Sequence, residues 1–268
     1  MKIIVTGGAS GLGEALVKRL TGHEVWILDR NAPAQLAAQH HYVTADLSDV
    51  ASIDQAISAL PTTIDALANV AGIAAAPNPE TVLAVNFLGL RHLSAELAPR
   101  LSSDGRIVNV SSIAGRDWHR RYDRLQPLLT TTSFGEGLAW CEAQRDMLAR
   151  DPYTFSKRMV TAHTLLAAQD AIKHGYRVNC VSPGPIETPL YPKFESLMGK
   201  AQSDWTSAQT GRIASADDIA EVIDLLLTGA NNWLNGVDIP VDGGYSAGLD
   251  SGWIDFAQSP IMQNRAPR

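Results

Sequence analysis

The segment Tyr153-Thr154-Phe155-Ser156-Lys157 sets a phenol and an amine four residues apart. On a helix that spacing puts both on one face. A free tyrosine titrates at about 10, too high for efficient proton exchange at neutral pH. An ammonium within a few ångströms stabilises the phenolate and lowers that value. The pair is therefore a candidate acid/base couple, with Tyr153 exchanging a proton and Lys157 tuning it. Such a match also arises by accident, as a surface tyrosine packed on a lysine stem, so its company decides its meaning.

Ile107–Gly115 reads as a strand that ends in Ser111-Ser112. In α/β sheets the ligand crevice lies outside the carboxyl ends of the strands, which brings Ser112 toward the couple. Asn86 is polar among Val85, Phe87 and Leu88. Two roles are open to it: a satisfied core amide, or the anchor of a water chain reaching Lys157. In Pro183-Gly184-Pro185-Ile186-Glu187-Thr188-Pro189, prolines fix an extended path and Thr188 offers a hydroxyl able to bond a carboxamide.

Thr6-Gly7-Gly8-Ala9-Ser10-Gly11-Leu12-Gly13 lies between the first strand and the first helix. Glycines there bring backbone N–H groups against a diphosphate, and the helix N-terminus adds partial positive charge. Gly7, Ser10, Gly11, Leu12 and Gly13 are thus candidate dinucleotide-binding residues. Asp29 ends the second strand, where a carboxylate can accept both adenosine-ribose hydroxyls and repel a 2′-phosphate. NAD is expected over NADP, although Arg30 beside it is able in principle to bind that phosphate. Asp46 and Leu47 follow the third strand, and Asn69, Ala71 and Gly72 end the fourth. Both groups of residues would flank an adenine, or could be turn chemistry alone. The positive nicotinamide ring of NAD⁺ would lower the Tyr153 pKa further.

The elements that must position these groups alternate along the chain. Lys2–Thr6, Glu24–Asp29, His41–Ala45, Ile64–Val70, Arg106–Ser111, Tyr176–Ser182 and Val237–Val241 read as strands. Gly13–Leu20, Val50–Leu60, Pro79–Leu97, Tyr153–His174 and Ala216–Leu227 read as helices. Val50, Ile53, Ile57 and Leu60 trace one apolar face, and Ser215 with Asp218 has the form of a capping box. The alternation predicts one α/β domain over residues 1–268, a doubly wound, Rossmann-type sheet of about seven parallel strands with helices on both faces. An inserted segment at about 116–151 and a lid-like segment at about 190–213 fall outside the pattern. Tyr191, Phe194, Met198 and Trp205 in the second are expected to form a substrate wall, or else to be packing residues. The tail Tyr245–Arg268, with Trp253, Ile254 and Phe256, is apolar enough to pack on a neighbouring subunit or on its own chain.

With 268 residues, 45% hydrophobic and 19% charged, the composition is that of a globular enzyme. The net charge of −6 gives no reason to expect nucleic acid or an anionic membrane as partner. Arg116, Arg120, Arg121 and Arg124 are a local exception, read as a solvated helix face. The N-terminal apolar run is too short for a signal peptide or membrane span. Cys141 and Cys180 have no paired spacing and no nearby histidine cluster, so neither a disulfide framework nor a metal site is expected. A cytoplasmic location is expected with them.

Together these motifs resemble the short-chain dehydrogenase/reductase family over roughly residues 1–245. They are Thr-Gly-x-x-x-Gly-x-Gly at 6–13, Asn-Val-Ala-Gly at 69–72, Asn86, Ser112, Tyr153 with Lys157, Pro183-Gly184 and Asp242-Gly243-Gly244. The resemblance implies that Tyr153 is the catalytic acid/base and that Lys157 lowers its pKa and binds the nicotinamide ribose. It further implies that Ser112 bonds the substrate oxygen, that Asn86 relays protons through water, and that Pro183, Gly184, Ile186 and Thr188 line the cofactor. A homodimer or homotetramer is implied too. One departure stands out: Tyr153 follows Ser112 by 41 positions, where the family commonly has about a dozen. A similar enlargement marks a subgroup that includes bacterial 3α-hydroxysteroid dehydrogenase/carbonyl reductase and coniferyl-alcohol dehydrogenase. The resemblance thus implies NAD-dependent hydride transfer between a hydrophobic, aromatic or steroid-like alcohol and its carbonyl. Two alternatives stand beside it. An NADPH-linked 3-oxoacyl-carrier-protein reductase is disfavoured by Asp29, and a non-catalytic NAD-sensing protein by the presence of all four catalytic candidates.

Overall fold

The computed structural model describes residues 1–264. Among the described residues nine strands form: β1 (Lys2–Thr6), β2 (Glu24–Asp29), β3 (His40–Thr44), β4 (Ile64–Asn69), β5 (Leu101–Val110), β6 (Arg177–Pro183), β7 (Ile186–Glu187), β8 (Ala214–Ser215) and β9 (Asp238–Val241). Seven make one parallel sheet in the order β3-β2-β1-β4-β5-β6-β9, and β7 pairs with β8 in a separate two-residue ribbon. Side chains alternate across the sheet. Ile4 therefore enters one core while Ile3 and Val5 enter the other. The strand order reverses between β1 and β4, and sheets of this kind bind ligands at that crevice.

The helices are α1 (Gly11–Arg19), α2 (Val50–Ser58), α3 (Pro79–Leu83), α4 (Gly89–Leu97), α5 (Tyr122–Leu129), α6 (Phe134–Ala143), α7 (Arg145–Leu148), α8 (Pro152–His174), α9 (Tyr191–Met198), α10 (Lys200–Thr210), α11 (Ala216–Thr228), α12 (Tyr245–Ser251) and α13 (Pro260–Gln263). Helices α1 and α11 cover one face of the sheet; α2, α4 and α8 cover the other. The expected helix over 79–97 is divided, because Ala84–Leu88 winds as a π-helical turn with Asn86 at its centre. Strand β5 begins at Leu101 rather than Arg106. Polar Ser102, Ser103 and Asp104 conceal its start, and the pairing with β4 shifts register between Ile64 and Ala66.

The stretch 116–151 is largely helical. Leu125, Leu128, Phe134, Cys141 and Leu148 from α5–α7 join the core on the α8 side. Arg91 on α4 ties the connection between α5 and α6 in place, its guanidinium donating to the carbonyls of Leu128, Thr131 and Ser133 at 2.8–3.2 Å. Of the arginine cluster, Arg116 pairs with Asp250 of α12, while Arg120, Arg121 and Arg124 are exposed. The tail folds onto its own chain as far as described: Ile254 is buried, and Phe256 packs edge-on against Trp205. Residues 265–268 lie outside the described residues. Both cysteines are unpaired and buried. No helix is long and apolar enough to cross a membrane, and no metal-ligating cluster occurs among the described residues.

Candidate active site

The crevice begins at the carboxyl end of β1. The Thr6 hydroxyl accepts the N–H groups of Val70 at 3.0 Å and Ala71 at 3.1 Å, locking the ends of β1 and β4 together. Gly7 then turns with φ +71°, and a Cβ there would lie 2.7 Å from the Ala71 Cα, so only glycine fits. Ser10 occupies the N-cap of α1 without a side-chain capping bond. The N–H groups of the first turn, through Gly11, Leu12 and Gly13, are left for an outside acceptor. Thr188 and Pro189 sit against Gly11, bringing the segment after β6 over the glycine turn.

Asp29 holds the rim of this turn. One carboxylate oxygen accepts from Ala9 N–H and the other from Asn31 N–H, each at 3.1 Å. Further lone pairs remain on both oxygens for hydroxyl donors. Asp46 accepts from Ser48 through N–H (2.8 Å) and hydroxyl (2.6 Å). Burial raises its pKa, but the Ser48 bonds and the Arg30 charge outweigh that and hold it below the ordinary value. Leu47 and Asn69 are both buried. The Leu47 side chain joins the core on the α8 side, and its carbonyl oxygen packs against Gly89. Asn69 donates within a buried network to Ser94 at 2.9 Å and to Asn109 at 2.8 Å, and Asn109 donates on to Thr164 at 2.9 Å. Its amide thus fastens β4 to β5, α4 and α8.

Helix α8 begins where Asp151 accepts the N–H of Thr154 at 3.0 Å, with Pro152 in the first turn. From there Lys157 reaches inward, 5% exposed, and donates to the Val110 carbonyl at 2.8 Å. Its Nζ lies 5.8 Å from the centre of the Tyr153 ring. Asn86 links the two sides: its carbonyl accepts Ile73 N–H at 2.8 Å, and its amide donates to the Ile73 carbonyl and the Ser156 hydroxyl at 3.0 Å each. A Cβ on Gly72 would stand 3.3 Å from Asn86 Oδ1 and 3.6 Å from Lys157 Nζ, so the end of β4 directly adjoins both groups. Ser112 lies two residues beyond β5, its hydroxyl capping the short turn that follows. Tyr153, Lys157, Ser112 and Asn86 are all brought to this one end of the sheet.

The electrostatics depart from the sequence expectation. Among protein groups alone, Lys157 does not make Tyr153 acidic. Burial pushes the phenol up to about 12, hydrogen bonding from Ser112 opposes the rise, and Asp151 adds to it. Burial also pushes Lys157 down to about 8. Desolvation of the charged form dominates in each case, and neither group contributes to the shift of the other. Sequence reasoning also passed over supporting residues. Ser111 donates to the Lys157 carbonyl at 3.0 Å and pairs with Thr161 at 2.7 Å, and Ser156 receives Asn86. Ser156 was visible as a hydroxyl within the Tyr-x-x-x-Lys run. The role of Ser111 was not, because it is set by the packing of α8 on β5.

Residues 1–121 match the short chain dehydrogenase model, and residues 126–246 match the model described as Enoyl-(Acyl carrier protein) reductase. The coniferyl-alcohol dehydrogenase of Pseudomonas sp. (strain HR199 / DSM 7063) is 35% identical over 249 residues, covering 92% of this chain and 96% of that protein. The chain belongs to the short-chain dehydrogenase/reductase family. As a member of that family it is an NAD(P)-dependent oxidoreductase interconverting alcohols and carbonyls. Among solved family structures it is similar to the 3-alpha-hydroxysteroid dehydrogenase from Pseudomonas sp. B-0831 complexed with NADH, at 28% identity and TM-score 0.75, covering 95% of this chain and 100% of that one. It is also similar to the 3-ketoacyl-(acyl-carrier-protein) reductase from Brucella melitensis complexed with NADH, at 26% identity and TM-score 0.69, covering 91% and 98%. That carrier-protein reductase holds NADH, so a preference for the non-phosphorylated cofactor does not by itself exclude the carrier-protein reading.

Proposed function

We propose that this short-chain dehydrogenase/reductase is an NAD-linked dehydrogenase for an aromatic or similarly hydrophobic alcohol, acting through Tyr153, Lys157, Ser112 and Asn86. The observation that carries the substrate class is the contact of Phe194 on α9 with Tyr153, ring centres 4.7 Å apart at 69°. The lid segment thereby walls the reacting phenol with an aromatic edge, a surface that favours flat apolar substrates over sugars. The names of the coniferyl-alcohol and hydroxysteroid relatives lend support.

The residues present fit a dinucleotide. The uncapped α1 N-terminus suits a diphosphate, Asp29 suits unphosphorylated ribose hydroxyls, and Thr188 lies beside Gly11. When bound, NAD supplies the hydride acceptor and, in its oxidised form, a positive ring. Tyr153 then takes the alcohol proton as the hydride departs, and returns it in the reductive direction. Ser112 holds the substrate oxygen, stabilising the charge that develops there. Lys157, fixed by Val110, presents its ammonium to the crevice. Asn86 positions the lysine side of the site through Ile73 and Ser156. A homodimer or homotetramer in the cytoplasm belongs to the same proposal, supported by Trp233, 98% exposed in the loop before β9, and by the two unpaired cysteines.

The test is NADH formation across steroid, aryl, aliphatic and sugar alcohols, with Tyr153→Phe as control. Aryl or steroid alcohols are expected to be turned over, and the variant to bind NADH yet lose on the order of 10²–10⁴ in rate. Near-normal turnover by Tyr153→Phe would sink the mechanism. The similarity to the 3-ketoacyl-(acyl-carrier-protein) reductase from Brucella melitensis favours one second reading. Preferential reduction of a 3-oxoacyl thioester would establish it instead.

A further inference from the structure

We propose that a pocket on the side of α8 away from the Tyr153 site binds a small aromatic carboxylate. The pocket, of about 190 Å³, is lined by Arg121, Arg124, Leu125, Met147, Phe155 and Arg158. It lies between the inserted segment and α8. Phe155 is two residues from Tyr153, about 200° around the helix, so the pocket and the catalytic crevice occupy different faces of one element.

Its floor is apolar. Leu125 is fully buried, and Phe155 is held in place by stacking on Trp140, ring centres 6.1 Å apart at 21°. An apolar cavity of about 150 Å³ accepts benzene, so this volume suits a single aromatic ring.

Its rim is cationic. Arg158 is committed to Asp117, donating from Nε at 2.7 Å and Nη2 at 3.0 Å. Among the described residues, Arg121 and Arg124 enter no ion pair. Two guanidiniums without carboxylate partners thus flank an aromatic-walled pocket, in a chain whose net charge is −6. A guanidinium fork matches a carboxylate through two parallel hydrogen bonds, and its plane stacks on rings. A ring seated on Phe155 with its carboxylate toward Arg121 and Arg124 satisfies both halves of the pocket. A bare anion would leave the floor unused, and a neutral aryl alcohol the rim. Neither half of the pocket depends on the chemistry assigned to Tyr153.

Benzoate is the probe, titrated calorimetrically into the full-length protein saturated with NADH. Saturable binding at one site is expected. It should weaken at least about tenfold in Arg121→Ala/Arg124→Ala, where both side chains are exposed and the fold is not at risk. It should persist in Ser112→Ala, which alters only the catalytic crevice, and both inorganic phosphate and benzyl alcohol should bind far more weakly. Benzoate binding that survives the double arginine change, or is lost in Ser112→Ala, overturns the proposal. So does the absence of saturable binding, or phosphate binding as tightly as benzoate.

Discussion

The Lys157 ammonium donates to the Val110 carbonyl at 2.8 Å, so the cation of the acid/base couple hangs from the strand that delivers Ser112. Strand β5 and helix α8 are thereby set relative to one another at the point of reaction. The Ser111 bond to the Lys157 carbonyl repeats the link one residue along.

Lys157 should leave a pH signature in stability. Burial lowers its pKa to about 8, while the unfolded chain keeps the ordinary value of about 10.4. Between these values the unfolded state binds more protons, so the stability of the native protein rises with pH. Below about 8 both states are protonated and the full cost of burying the charge applies. Relative to Lys157→Met, the native protein should gain on the order of 3 kcal/mol between pH 7.5 and 10.5. Urea denaturation of both proteins across that range checks it; parallel curves would mean that the ammonium is not desolvated.

Asp29→Ala should weaken NADH binding by about 10- to 100-fold, the range expected for hydrogen bonds to a charged group. NADPH should lose far less, since the variant no longer repels a 2′-phosphate. Fluorescence titration with both cofactors measures the ratio. An unchanged preference would remove Asp29 from the ribose site.

Phe194→Ala should lower kcat/KM for aryl alcohols about 2- to 10-fold, the worth of one aromatic contact. Short aliphatic alcohols should be unaffected or improved. Steady-state kinetics on the two classes separates a substrate wall from a purely structural contact, which would depress both alike.

Gly115→Ala addresses the packing of α8. A Cβ at this position would lie 2.7 Å from Thr161 Oγ1 and 2.8 Å from both the Lys157 carbonyl and Ser111 Oγ. The clash should cost about 1–3 kcal/mol of stability and lower kcat through displacement of Lys157. Calorimetry and kinetics on the same preparation test both effects, and an unperturbed kcat would show that the helix can shift without disturbing the couple.

Much of this arrangement was legible in the residues. The glycine turn and Asp29 fall at the ends of β1 and β2 because apolar runs define those strands on their own. The helix carrying Tyr153 and Lys157 was equally plain, expected over Tyr153–His174 and found over Pro152–His174. Other features depend on contacts between distant segments. The π-helical turn at Asn86 lies in an apolar stretch whose periodicity is that of a simple helix. Helices α5–α7 are short, one with Pro127 inside it, and are held by Arg91 and by burial against α8. The rise in the Tyr153 pKa was hidden as well, because spacing reveals a neighbouring charge but not the loss of water around it.

The two sealed thiols have a practical use at the bench. Cys141 and Cys180 are inaccessible, and burial pushes the first up to about 12 and the second well above its ordinary value. Alkylating agents need an exposed thiolate, so labelling can proceed only when the chain opens. Cys141 sits in the inserted segment and Cys180 in the central sheet. Their relative labelling rates would therefore time the detachment of one against the unravelling of the other.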